Sequence, residues 1–167
     1  MNLDRHRYCS TGLELQEEAA SHRSMGQGDE PSIVAKQILI VDDKSELLHL
    51  MRRVLEDEQY QVAIQQNGLD AFTVAKATLP DLLILDLVLG NISGKEVLKQ
   101  LKDDPVTAEI PVIVYTAAVL EAEEVNRLIA SDSAYYKGVS LLQKPFELQD
   151  FLDMVAQAIH EPVNQDV

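Results

Sequence analysis

Three short apolar runs, each ending in a side chain capable of chemistry, constrain this chain more than any other feature. Gln37-Ile38-Leu39-Ile40-Val41 leads into Asp42-Asp43, Asp81-Leu82-Leu83-Ile84-Leu85 into Asp86, and Ile110-Pro111-Val112-Ile113-Val114-Tyr115 into Thr116. A strand with one wet face alternates apolar and polar residues. These runs do not alternate, so they read as strands buried on both faces. Tyr60 to Ile64 and Val139 to Gln143 are weaker copies, the latter followed by Lys144-Pro145. Helical spacing fills the gaps. Leu47, Leu48, Met51, Val54 and Leu55 share a face, with Ser45 as the expected cap. Ala71, Val74 and Ala75 follow the turn signal Asn67-Gly68. Ser93 to Glu96 has capping-box spacing ahead of Val97, Leu98 and Leu101. Val125, Leu128 and Ile129 mark a fourth helix, and Leu148, Phe151, Leu152, Val155 and Ile159 a fifth. Strand and helix thus alternate five times. Parallel strands need crossover connections, so the expected class is α/β: a five-stranded parallel sheet with helices on both faces.

A chain of 167 residues with 46% hydrophobic residues can build one such domain. Residues 36–160 hold the pattern. Residues 1–35 lack it and read as a flexible N-terminal extension, with one or two helical turns expected around Leu13 to Ala20, and Met25 is a candidate true start. Residues 161–167 read as a short C-terminal tail, so no second folded domain is expected. Acids outnumber bases, 28 to 14, and the net charge is -14. Such a surface repels nucleic-acid backbones and anionic membranes, and the basic residues, Arg52-Arg53 included, are scattered among acids. The single cysteine, Cys9, excludes an internal disulfide framework and a cysteine-rich zinc site. No apolar run approaches the roughly 20 residues that cross a bilayer, and the N-terminus lacks the apolar segment of a secretory signal. The expected location is cytoplasmic.

Open parallel sheets gather their chemistry at the C-terminal ends of the strands. Asp42, Asp43, Asp86, Thr116 and Lys144 all fall there. Each has a bland reading alone: an Asp after a strand forms turns, Thr116 caps the fourth helix, Lys144 is solvated. Their coincidence on four strand ends of one sheet is what chance explains poorly. Three carboxylates on one rim raise each other's pKa unless a cation neutralises them, and oxygen-only ligands favour Mg²⁺. A phosphoryl group completes such a site, with Lys144 and Thr116 for its oxygens. A carboxylate is then the acceptor, since no Ser, Cys or His ends a strand, and Asp86 on the expected central strand is the natural one.

Read together, ILIVDD, LLILDL, VIVYTA and QKPF make the chain resemble the receiver domain of two-component response regulators, a flavodoxin-like (βα)5 fold, from about Lys36 to His160. The resemblance implies that Asp86 takes a phosphoryl group from the phosphohistidine of a histidine kinase or histidine phosphotransfer protein. It implies Mg²⁺ on Asp43, Asp86 and the backbone carbonyl of Val88, with Asp42 acting through a metal-bound water. Lys144 would contact the phosphoryl group and Thr116 would swing toward it. The protein would promote its own phosphorylation and the later hydrolysis only, a switch more than an enzyme of turnover, signalling to a downstream protein.

The departures from the family pattern bear on the switch. Gly90 stands where Pro is usual, so a looser loop is expected. Leu141 holds the place of the usual aromatic switch residue, with Tyr135 and Tyr136 as candidate substitutes. The stretch from Thr116 to Lys144 is long, with the excess near Ser131 to Lys137. Glu121, Glu123 and Glu124 make the fourth helix acidic on a face through which receivers commonly bind partners or form homodimers. Val88 and Ala118 flank the site and neither can activate water. His49 and His160 read as surface residues. The leading expectation is a stand-alone receiver. The alternatives are a degenerate receiver that binds partners without phosphorylation and, less favoured, a Mg²⁺-dependent phosphohydrolase with an aspartyl nucleophile; the latter needs an acid two residues after Asp86, where Val88 stands.

Overall fold

Residues that must be dry on both sides become the middle of the sheet. The computed structural model describes residues 35–160. The expected N-terminal extension, with Cys9, Met25 and the turns around Leu13 to Ala20, and the tail 161–167 lie outside them. Strands β1 (Gln37–Val41), β2 (Gln61–Gln65), β3 (Leu82–Asp86), β4 (Val112–Thr116) and β5 (Val139–Gln143) alternate with helices α1 (Ser45–Asp57), α2 (Gly68–Thr78), α3 (Gly94–Asp103), α4 (Val119–Ser131) and α5 (Leu148–His160). All pairings are parallel, in the order β2-β1-β3-β4-β5. The three continuous runs are the inner strands. The two weaker copies are the edges, where one side of each ladder faces no neighbour and half-exposed residues are tolerated.

Successive residues of each inner strand feed opposite layers. Leu39, Val41, Leu83, Leu85, Val112 and Val114 pack with Ala71 and Ala75 of α2, Val97, Leu98 and Leu101 of α3, and Val125 of α4. Ile38, Ile40, Leu82, Ile84, Ile113 and Tyr115 pack with Leu48, Met51 and Leu55 of α1 and Phe151 and Val155 of α5. Each fully buried Leu or Ile contributes about 2 kcal/mol through apolar area removed from water.

Local expectations differ at the helix starts. Ser45 is the first helical residue of α1 and caps nothing; Lys44 precedes it without a side-chain cap. The Asp42 carboxylate already closes that turn by accepting the Lys44 N–H at 2.7 Å. Leu148 is exposed, because it opens α5 before the helix reaches the sheet; Phe146 packs under the layer instead. Ser93 does cap α3, accepting from the Lys95 N–H at 3.3 Å. Ser131 ends α4, so the extra residues form the turn at 133–138.

Candidate functional site

Asp42 follows β1, Asp86 ends β3, Thr116 ends β4 and Lys144 follows β5, so one edge of the sheet presents them all. The strand order reverses between β1 and β3, the place where open α/β sheets bind ligands. A cleft of about 320 Å³ opens there, lined by Lys44, Asp86, Val88, Ala117, Ala118 and Lys144. A larger cavity, about 440 Å³, lies at the other end of the strands around Pro80, Pro111 and Gly138, away from these side chains.

Asp86 is the hub. Its Oδ1 accepts the Val88 N–H at 3.0 Å and its Oδ2 the Lys144 ammonium at 3.1 Å. Burial raises its pKa above the ordinary carboxylate value, opposed by the Val88 N–H and the Lys144 charge. The Lys44 Nζ stands 3.8 Å from Asp86 Oδ2 and 3.9 Å from Asp43 Oδ1. A cation therefore already spans these two carboxylates. Oxygen donors around a cation suit Mg²⁺, and Asp43 and Asp86 fit that group. Among the described residues no three His, Cys or acidic side chains form a ready-made metal cluster. Lys44 and Lys144 supply positive charge, and Tyr115 supplies a hydroxyl. Every buried side-chain N or O among the described residues has a hydrogen-bond partner.

Sequence reasoning missed Lys44 and Tyr115. Lys44 follows the acidic pair directly. Tyr115 is a phenol in a strand buried on both faces, and such a hydroxyl must find a partner; it donates to Asp42 Oδ2. Burial, followed by the Asp42 carboxylate, pushes the phenol far above its ordinary value, so it remains a donor.

Thr116 is fully buried, and its hydroxyl accepts the Ala118 N–H at 3.1 Å. Leu141 is half-buried against the layer of α2, α3 and α4. Neither candidate substitute reaches the site. Tyr135 donates its hydroxyl to Asp103 at the far end of α3 at 2.7 Å, and Tyr136 packs edge-on beside it. Two of the three α4 acids are paired, since Lys95 of α3 meets Glu121 at 2.7 Å and Glu124 at 2.6 Å. The loop at Gly90 is tied by a bridge between Val88 and Ser93 and by the Asn91 amide, which donates to Asn67. His49 and His160 are exposed.

Fold and site together define a doubly wound α/β protein with an acidic centre at its topological switch point. The chain belongs to the response regulator receiver domain family of two-component signalling, whose model matches residues 38–156. It is 32% identical over 120 residues to the polar-differentiation response regulator DivK of Brucella anthropi, covering 72% of this chain and 93% of that protein. It is similar to a CheY-like response regulator receiver domain protein of Methanospirillum hungatei, at 26% identity and TM-score 0.62, covering 75% of this chain and 94% of that one. The signal receiver domain of a histidine kinase from Syntrophus aciditrophicus is similar at 26% identity and TM-score 0.64, covering 75% and 90%. No helix among the described residues is long and apolar enough to cross a membrane.

Proposed function

We propose that Asp86 accepts a phosphoryl group from the phosphohistidine of a histidine kinase or phosphotransfer protein. The carrying observation is a buried carboxylate lining an open cleft between two ammonium groups, Lys44 and Lys144. The phosphorus–nitrogen bond of the donor breaks as a bond from an Asp86 oxygen to phosphorus forms, and the imidazole leaves. Asp43, Asp86 and the Val88 carbonyl would hold Mg²⁺, with Asp42 reached through water, and that ion would neutralise charge on the transferring oxygens. Lys144 leaves its contact with Asp86 Oδ2 for the phosphoryl oxygens. Thr116 turns its hydroxyl toward them, giving up the Ala118 N–H, and the start of α4 follows as a population shift. Water later attacks phosphorus, restoring Asp86 and releasing phosphate. Val88 and Ala118, which line the cleft, offer no base for that step. On this reading the protein is a switch that promotes only its own phosphorylation and dephosphorylation.

A stand-alone role is supported by the relative DivK, which the alignment covers almost end to end. The net charge of -14 favours signalling by protein contact over direct nucleic-acid binding. The reading places this exchange in the cytoplasm, where a kinase charged from ATP is met. Incubation with Mg²⁺ and a small acyl phosphate, read by intact mass, tests it. A single phosphoryl adduct is expected, absent in Asp86→Asn. Donor turnover without an adduct would instead mark a phosphohydrolase. No adduct from this donor or from a cognate kinase would mark an adaptor that works unphosphorylated.

A further inference from the structure

Tyr115 lies on the α1–α5 side of β4, fully buried, one residue before Thr116. Two contacts run from it into the site. Its hydroxyl donates to Asp42 Oδ2, and the Lys144 Nζ sits 4.1 Å from its ring centroid. Asp42 is itself fully buried, and its other oxygen takes the Lys44 N–H at 2.7 Å. The carboxylate is therefore gripped at both oxygens and its plane is fixed. Lys144 has two carboxylates to choose between: Asp86 Oδ2 at 3.1 Å and Asp42 Oδ2 at 3.8 Å. Because the phenol occupies Asp42 Oδ2, the ammonium falls to Asp86, and the ring face beneath it adds cation–π attraction.

We propose that Tyr115 is a positioning residue of this site, its hydroxyl aiming Asp42 toward the metal and its hydroxyl and ring together assigning Lys144 to Asp86. This rests on the Mg²⁺-dependent phosphotransfer described above. Groups that orient carboxylates around a metal commonly govern its affinity by about tenfold or more. Removing the hydroxyl alone leaves Asp42 Oδ2 without its donor, with Lys144 the nearest replacement. Mg²⁺ then loses an aimed carboxylate, and the ammonium is drawn from Asp86. Removing the ring as well takes away the surface that holds the ammonium.

The test compares wild type, Tyr115→Phe and Tyr115→Leu, each well below its own melting temperature. Mg²⁺ affinity is measured by calorimetry without any phosphoryl donor, and the rate of acyl-phosphate labelling is followed against Mg²⁺. Tyr115→Phe is expected to bind Mg²⁺ about tenfold more weakly, with labelling largely recovered at saturating Mg²⁺. Tyr115→Leu is expected to stay slow at saturating Mg²⁺, a split that a general loss of stability does not produce. Wild-type or tighter Mg²⁺ affinity in Tyr115→Phe overturns the role of the hydroxyl, and full recovery of Tyr115→Leu overturns the role of the ring. A wild type that binds no Mg²⁺ removes the underlying reading too; a wild type that binds while Tyr115→Phe matches it removes only this one.

Discussion

Gly94 shows how tightly single residues define the site. A Cβ there would lie 2.2 Å from the Asp86 carbonyl oxygen and 2.6 Å from the Leu87 Cα, both backbone atoms that cannot step aside. Only glycine lets α3 begin against the strand that carries Asp86, with the Gly94 N–H donating to the Leu87 carbonyl at 2.9 Å. Gly94→Ala is expected to cost about 1–3 kcal/mol by overpacking, read as a lowered urea midpoint with unchanged slope. Gly90 has no such constraint: a Cβ would make ordinary contact at 3.4 Å with Asp43 Oδ2. Asp42, Asp86, Thr116 and Lys144 were legible because each ends or follows an apolar run. Tyr115 was not, because a strand buried on both faces lacks the alternation that tells which layer a residue enters. That choice came from register, which sets Tyr115 opposite Asp86 on β3 and Leu142 on β5.

At the scale of elements, Lys102 joins what the chain separates. It is buried at the end of α3, and its ammonium donates to the carbonyls of Ala108 at 2.6 Å, Ile110 at 3.1 Å and Lys137 at 3.0 Å. Helix α3, the approach to β4 and the turn before β5 thus share one cation. Burial pushes its pKa down to about 8 from 10.5. The unfolded chain then holds more protons than the folded one between those values, so this group makes stability rise with pH there, by up to about 3 kcal/mol. Denaturation at several pH values should show wild type gaining on Lys102→Met across that window; parallel curves would refute the shift. Helix faces were readable from apolar spacing except at their starts. Ser45 and Leu148 depart because the Asp42 carboxylate and Phe146 do the work expected of them.

For the whole molecule, the proposed Mg²⁺ site draws its ligands from two segments, 42–43 and 86–88, so binding there would be linked to stability. Mg²⁺ that binds only the folded state raises the melting temperature with its concentration. The rise is expected in wild type, absent in Asp43→Asn and not reproduced by NaCl of equal ionic strength. The sequence by itself determined the order of elements, the two-faced burial of the inner strands and the rim on which the acids and Lys144 fall. These follow from local periodicity and from the rule that strand ends carry function. Only the tertiary structure decided which side chains meet those acids. Lys144 and Tyr115 meet Asp42, and Lys144 and Lys44 meet Asp86, through parallel pairing of strands far apart in the chain, and a contact made by pairing leaves no periodic trace. The same reason removed Tyr135 as a switch candidate: packing ties it to Asp103, at the end of α3 remote from Asp86.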